Sequence, residues 1–301
     1  MKILVTGSSG WLGQTLVPRL RGLGHIVVGL DPERGATTDV MGSVVDRALV
    51  RSTIRDNRID AIVHAAARHK PHIATHDNSE FVAVNVQGTL NLLEEAVDAD
   101  VGRFVFTSTT SLMISQKIRN GKAGGAREAV WIDETMTPLQ PRNIYGVTKL
   151  AAEDLCRLFH QLHKIPIVIL RTSRFFPEED DMAHAILQSG ENTKANELLF
   201  RRLSVEDAAE AHVVALQKAP EIGFDTFIVS ALTPFSPSDA AALIADAPSV
   251  VARYFPDYPA KYDKLGWTMF DAIDRVYDSN KARTVLGFTC RINFRQTLDA
   301  V

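Results

Sequence analysis

The residues with the clearest chemical potential in this chain are a tyrosine and a lysine, in Tyr145-Gly146-Val147-Thr148-Lys149. Positions i and i+4 share one face of a helix, so a helical stretch brings the Lys149 ammonium to the site of the Tyr145 phenol. A free phenol has a pKa of about 10. A nearby cation favours the phenolate and makes it a general base near neutral pH. The competing reading is an interfacial tyrosine beside a solvated lysine, because this spacing is common. A second group stands at the start of the chain, in Gly7-Ser8-Ser9-Gly10-Trp11-Leu12-Gly13. Gly7 permits a tight turn out of a strand, Gly10 lets backbone approach a pyrophosphate, and Gly13 lets a helix pack closely on a sheet. The helix N-terminus adds N–H groups and a positive dipole end. Asp31, 18 residues after Gly13, is placed to accept hydrogen bonds from a ribose diol. A carboxylate there opposes a 2′-phosphate, so NAD is expected over NADP, with Arg34 as the opposing charge.

These groups need a scaffold, and the apolar pattern supplies one. Short apolar runs at 2–6, 24–31, 59–66, 103–108 and 165–171 alternate with helical spacing at 11–21, 46–57, 80–99 and 150–163. Near-continuous apolar strands separated by helices predict an α/β fold, a doubly wound parallel sheet of Rossmann type covered on both faces. The stretch 141–153 turns from a proline-bounded loop into a helix. Beyond residue 175 the signals thin, as expected of a smaller C-terminal substrate-binding lobe. The expected division is therefore 1–175 for the NAD-binding domain with its Tyr/Lys helix, and 176–301 mostly for the lobe. Within the latter, 204–219 reads as an amphipathic helix and a strand near 224–230 is expected to return to the main sheet. A helix start with Ser236 or Ser238 as cap is expected at 234–245.

The bulk numbers exclude several classes. With 301 residues, 46% hydrophobic and 23% charged, the chain has the composition of a soluble globular protein with a large core. A net charge of −3 gives no electrostatic case for nucleic acid or an anionic membrane. No apolar run approaches the roughly 20 residues of a transmembrane helix. The N-terminus lacks the pattern of a signal peptide, and Cys156 and Cys290 match no metal spacing, so a cytoplasmic, reduced setting is expected. His69, His72, His76 and Glu80 fit no common ligand set, and no metal is expected.

The glycine loop, His64-Ala65-Ala66-Ala67, the segment Asn85-Val86-Gln87-Gly88-Thr89-Leu90-Asn91, Thr107-Ser108-Thr109 and the Tyr145/Lys149 pair follow one another in order. Taken together they resemble the extended short-chain dehydrogenase/reductases, and within them the NAD-dependent nucleotide-sugar epimerase/dehydratase group. The resemblance implies that Tyr145 is the catalytic acid/base and that Lys149 lowers its pKa and binds the nicotinamide ribose. Thr109 would hydrogen-bond the substrate oxygen. The backbone of Trp11 and Leu12 would meet the pyrophosphate, Ala65, Ala66 and Ala67 would line the cofactor, and Asn85 would support the site. A homodimer is implied by the resemblance alone.

The chain also departs from that pattern. Gly42-Ser43-Val44 stands where the family often has an aspartate against adenine, so Ser43 and Val44 are assigned to the cofactor, with Asp39 as an alternative. A 4,6-dehydratase commonly has an Asp-Glu pair after the Ser/Thr, whereas Thr110-Ser111 stands here. The arginine that usually binds a substrate diphosphate aligns with Phe200, leaving Arg201 and Arg202 adjacent, and Arg174 replaces a substrate-binding asparagine. The segment around Arg174 resembles uronate dehydrogenases, where an arginine could clamp a sugar carboxylate. The other reading pairs Arg174 with the acidic run Glu178-Glu179-Asp180-Asp181. Thr109 and Tyr145 are 36 positions apart, and the Lys- and Gly-rich insertion at 115–127 reads either as a cationic lid or as a solvated loop. The expected function is an NAD-dependent enzyme acting on a sugar hydroxyl, foremost a nucleotide-sugar epimerase. The alternatives are a dehydrogenase of a free sugar or sugar acid and, more remotely, a non-catalytic NAD(H)-binding regulator.

Overall fold

The computed structural model describes residues 1–175 and 188–300. They form two compact units, and neither is one continuous stretch. The first comprises 1–112, 142–172 and 208–227, and the second comprises 113–141, 173–207 and 228–301. The boundary expected near residue 175 is thus one of several crossings.

The first unit is built on β1 (Lys2–Thr6), β2 (Ile26–Asp31), β3 (Val40–Met41), β4 (Ala61–His64), β5 (Phe104–Thr109), β6 (Ile167–Thr172) and β7 (Phe224–Val229), the last running on past residue 227. Their order in the sheet is β3-β2-β1-β4-β5-β6-β7, the Rossmann-like doubly wound arrangement expected from the apolar runs. The registered pairings are parallel, with Thr6 opposite both Leu30 and His64, and Thr109 opposite Thr172. Parallel strands end on one edge, so the turns after β1, β4 and β5 all emerge on the same side. The sheet order reverses between β1 and β4, and ligands of open α/β sheets bind outside the strand ends at such a switch point.

Helices α1 (Trp11–Gly22), α2 (Arg47–Asn57), α3 (Asn78–Phe81), α4 (Gly88–Asp98), α5 (Ile144–His163) and α6 (Val205–Ile222) flank the sheet; the last begins just before this unit's 208–227 stretch. Between α3 and α4, Val82–Gln87 is a π-helical turn. One core joins Ile62, Phe104, Phe106 and Ile169 of the strands to Val50 and Ile54, Leu92 and Ala96, and Ala152 and Cys156 of α2, α4 and α5. Those helix positions recur at three- or four-residue spacing, which is why the pattern was readable as helix. Asn143 caps α5 by accepting from the Gly146 N–H at 2.9 Å. The helix therefore starts before residue 150, and both Tyr145 and Lys149 lie on it.

In the second unit β8 (Val130–Ile132) and β9 (Arg275–Tyr277) pair in parallel, an association the sequence pattern did not suggest. Its core gathers Leu198, Leu199, Phe235, Leu243, Val251, Tyr262 and Phe294. Ser236 stands at the expected helix start, its side chain and that of Asp239 forming reciprocal caps. The insertion carries short helical turns and is anchored at points within its own unit, though most of its residues are exposed. Ser115 caps the short helix Gln116–Asn120, Gly121 turns at φ 47° against the Asp274 side chain, and Lys122 Nζ donates to the Ala245 carbonyl at 3.1 Å. Of its two lysines, Lys122 is thus tied within its own unit, while Lys117 is exposed.

Candidate active site

On the edge of the sheet where β1, β4 and β5 end, α5 sets Tyr145 one helical turn before Lys149, and β5 ends in Thr109. Thr109 stands beside Tyr145, where its hydroxyl favours the phenolate, and both residues are buried. Thr109 Oγ1 also accepts from the Ser111 N–H at 3.1 Å, which orients it. Burial disfavours the phenolate and pushes the Tyr145 pKa up to about 12, with the Thr109 hydroxyl opposing. Lys149 Nζ lies 3.9 Å from the centroid of the Phe106 ring, a cation–π contact. Burial lowers Lys149 to about 7, against opposing contributions from Cys156 and Glu153. The expected i, i+4 spacing is present, and the Lys149 ammonium rests on the face of Phe106 from β5.

Beneath the pair, Glu153 continues the same helix face. It is buried and takes a forked contact from Arg171 of β6, with Nη2 at 2.7 Å and Nε at 3.0 Å, and a 2.5 Å bond from Ser108 Oγ. Glu153 thus ties α5 to β6 through Arg171 and to β5 through Ser108, the residue before Thr109. Neither Glu153 nor Arg171 was singled out from sequence, although Glu153 repeats the i+4 interval after Lys149.

The glycine loop forms a cradle at the switch point. A Cβ on Gly7, which has φ 73°, would lie 2.7 Å from the Ala66 nitrogen, and one on Gly13 would lie 2.3 Å from the Gly7 carbonyl oxygen. Both positions exclude any side chain. Gly10 is the N-cap of α1, with no side-chain cap and no acid in the first turn. The first turn of α1 therefore presents the positive end of the helix with no side-chain cap from Gly10. Ala65, Ala66 and Ala67 follow β4, and the Ala65 N–H donates to the Thr6 carbonyl at 3.2 Å. Asp31 ends β2, nearly buried, with one oxygen accepting from the Ser9 N–H at 3.0 Å and the other from the Glu33 N–H at 2.8 Å. It is thereby held against the glycine loop.

Asn85, on the π turn, clamps Arg68 in both directions, accepting from its N–H at 2.8 Å and donating to its carbonyl at 2.9 Å. It also donates to Thr148 Oγ1 of α5 at 3.0 Å. Ser43 Oγ accepts from the Val45 N–H at 3.2 Å, and Val44 is buried against Gly88. The Ser43 side chain thus caps a turn. Asp39 accepts from the Gly29 N–H at 2.8 Å and pairs with Arg21 at 2.9 Å, which gives it a structural task. A residue without an assigned role in the sequence reading is Asn91, which donates to the carbonyls of both Val44 and Val45 at 3.0 Å. It lies in the same motif as Asn85.

In the second unit, Arg174, Arg201 and Arg202 converge on one buried carboxylate, that of Glu197, at 3.9, 2.6 and 2.9 Å. Burial would raise the Glu197 carboxyl, but the arginine charges outweigh it and hold it below its ordinary value. Glu197 was not anticipated as their partner. The acidic run Glu178-Glu179-Asp180-Asp181 lies outside the described residues. His69, His72 and His76 follow one another with tilted rings, centroids 4.2 and 5.1 Å apart, while Glu80 pairs with Arg68 at 3.3 Å. Among the described residues, no group of three or more His, Cys, Asp or Glu is arranged to hold a metal ion. No described helix is long and apolar enough to cross a membrane.

Comparisons with known proteins follow the same outline. The family model described as NAD dependent epimerase/dehydratase family matches residues 3–227. The low-salt glycan biosynthesis protein Agl12 of Haloferax volcanii is 33% identical over 191 residues, covering 58% of this chain and 57% of that protein. The chain thus spans a little over half the length of the first curated relatives it matches. A UDP-glucose 4-epimerase of Lactobacillus helveticus is 27% identical over 322 residues, covering 96% of this chain and 92% of that protein. Among solved structures, a UDP-N-acetylglucosamine 4-epimerase from Bacillus cereus superposes with a TM-score of 0.67 at 23% identity, covering 100% of this chain and 97% of the other. At that identity the likeness shows the fold.

Proposed function

Because the chain belongs to the NAD-dependent epimerase/dehydratase family, we propose that it is an NAD-dependent enzyme that oxidises a sugar carbinol, foremost as a nucleotide-sugar epimerase. The observation that carries this reading is the buried Tyr145 beside Thr109, with Lys149 one turn further along the same helix. NAD fits the residues present. Gly7 and Gly13 leave no room for side chains, the α1 N-terminus is uncapped, and Asp31 stands at the end of β2. Gly7, Gly10, Trp11, Leu12, Gly13, Asp31, Ser43, Val44, Ala65, Ala66, Ala67, Asn85, Tyr145 and Lys149 are the residues we assign to it. When bound, NAD supplies the acceptor for the hydride that leaves the sugar carbon.

The protein's own residues handle the proton. Thr109, beside the phenol, bridges the substrate hydroxyl to Tyr145, which takes the proton as the carbon–oxygen bond becomes a carbonyl. Lys149 supplies the positive charge that such a phenolate needs. In an epimerisation Tyr145 would give the proton back when the ketone is reduced on its other face, and bound NAD would be restored with no net consumption. Arg174, Arg201 and Arg202 are assigned to an anionic part of the substrate. Their grouping around Glu197, with Phe200 in place of the family's diphosphate arginine, favours a second reading, in which a sugar carboxylate is recognised and the ketone or lactone is released with NADH. Exposed Val147, Leu158 and Leu162 along one side of α5 support a homodimer, and the setting we assign is cytoplasmic.

Incubation with NAD and a panel of UDP-sugars, free sugars and uronic acids separates the readings. Isomer change without net NADH supports the epimerase, net NADH supports the dehydrogenase, and cofactor binding with neither outcome across the panel refutes both in favour of a regulator.

A further inference from the structure

Beneath the cofactor cradle, a chain of buried hydroxyls passes through one histidine, and its direction is fixed. The Thr6 hydroxyl oxygen accepts from the Ala66 N–H at 3.2 Å and lies 2.7 Å from His64 Nδ1. On the other side of the ring, His64 Nε2 lies 3.0 Å from Thr89 Oγ1, and Thr89 donates to the Asn85 carbonyl at 2.7 Å. Thr89 has a single hydroxyl proton and gives it to Asn85, so it must accept from His64, and the ring proton sits on Nε2. The Thr6 proton then has Nδ1 as its acceptor. Every donor is matched when the ring is neutral with one N–H, and no other assignment satisfies both threonines. The ring is 1% exposed and lies against Phe104 and Phe106. Burial, and then the Lys149 charge, hold its pKa well below the ordinary value. The chain continues from Asn85 Nδ2 to Thr148 Oγ1, and from there to the carbonyls of Ile144 and Tyr145. One end is the backbone packed on the Gly7 turn, and the other is the catalytic tyrosine's own peptide.

We propose that His64 is a positioning residue that holds the cofactor cradle and the catalytic helix in one register through two separable halves. The Nδ1 half fixes the end of β1 and Ala66. The Nε2 half fixes the π turn, Asn85 and hence Tyr145. The inference rests on the NAD-dependent reading, because hydride and proton leave adjacent atoms of one carbinol, so the nicotinamide and the phenol must be held at a set separation. A histidine serving only as core filler would need neither a fixed tautomer nor two matched hydroxyls.

Two substitutions divide the halves. In His64→Asn the short amide places its oxygen near the Nδ1 position and keeps the Thr6 bond, losing the Thr89 bond. In His64→Gln the longer amide places its NH2 near the Nε2 position and keeps the Thr89 bond, losing the Thr6 bond. NADH affinity by fluorescence and amide hydrogen exchange are measured on the full chain. For His64→Gln we expect about tenfold weaker NADH binding, the scale of one buried hydrogen bond, with exchange at 85–92 and 144–149 unchanged. For His64→Asn we expect NADH affinity within about twofold of wild type and about tenfold faster exchange over those segments. Changes that run together in both variants, or are absent from both, overturn the proposal. Should both variants fail to fold, the 15N shifts of His64 in the wild-type protein decide, and a ring protonated on Nδ1 overturns it. If the wild-type protein binds no NADH, the NAD reading falls, while exchange at 64–67 against 85–92 still decides the two-half assignment.

Discussion

Replacing Glu153 with glutamine should destabilise the protein far more than removing Glu153 and Arg171 together. The carboxylate is 1% exposed and takes three donors, two from the Arg171 fork and one from Ser108 Oγ. Arg171 is itself 5% exposed, and Glu153→Gln removes the carboxylate charge that faces this buried guanidinium. Breaking a buried pair from one side costs about 3–5 kcal/mol, whereas replacing both partners with apolar residues of similar volume is often neutral. Set against a typical domain stability of about 5–15 kcal/mol, the single change is severe. The thermal midpoint of Glu153→Gln should fall by roughly 10 °C, and Glu153→Leu with Arg171→Met should recover most of it. Calorimetry on the cofactor-free protein measures both. A fall of less than about 2 °C in the single variant, or a double variant as unstable as the single, would refute the view that the pair's value lies in mutual compensation. The same double variant tests the tie to β5: Ser108 loses its acceptor, so turnover should fall even where the melting point returns.

Tyr145→Phe should lower turnover by about 10²–10⁴-fold with NADH affinity preserved, because it removes the proton carrier and leaves the cradle intact; stopped-flow or endpoint assays with the substrate found by the panel check this. Lys149 gives a pH signature in the cofactor-free protein. Its folded pKa, about 7, lies below the unfolded value of 10.5, so between those limits the unfolded chain binds more protons and stability rises with pH. Melting curves across pH 6 to 10 should show that rise in the wild type, and Lys149→Met should flatten it and raise the midpoint at the acid end, by roughly a few °C. Asn91→Leu should cost about 1–3 kcal/mol by leaving the Val44 and Val45 carbonyls unpaired, read as a lower urea midpoint with an unchanged slope. Gly13→Ala should abolish NADH binding, since its Cβ would press on the Gly7 carbonyl oxygen at 2.3 Å; retained affinity within about twofold would show that the loop relaxes.

What was legible in the sequence is what short-range physics determines. The apolar runs gave the strands, the helical intervals gave the covering helices, and the glycines announced a turn that tolerates no side chain. The i, i+4 spacing put Tyr145 and Lys149 on one face because a helix imposes it. The lysine's electrostatics were not legible, since its nearest aromatic partner, Phe106, comes from a distant strand and no local pattern points there. Arg174, Arg201 and Arg202 were picked out by type, but their shared partner Glu197 sits in a helix with no distinguishing pattern. The insertion read as loop material because of its glycines and lysines. One of those glycines is a tight contact against Asp274 and one of those lysines a bond to a carbonyl, facts set by residues more than a hundred positions away. His64 was visible as part of a motif, yet its role depends on hydroxyls from three separate elements.

The interleaving of the two units constrains how such a chain can be made. The first unit needs the stretch 208–227 to complete its set, while part of the second, 113–141, is synthesised well before then. During vectorial synthesis at about 5–20 residues per second, a nascent chain that has reached residue 175 holds the glycine loop, Asp31 and the catalytic pair but lacks the last strand of the sheet. For about 3–10 s the β6 edge stays open to pairing with other chains. A truncated product ending near residue 175 would carry every residue assigned to NAD and still expose that edge, so its failure mode should be aggregation, with the missing chemistry a secondary loss.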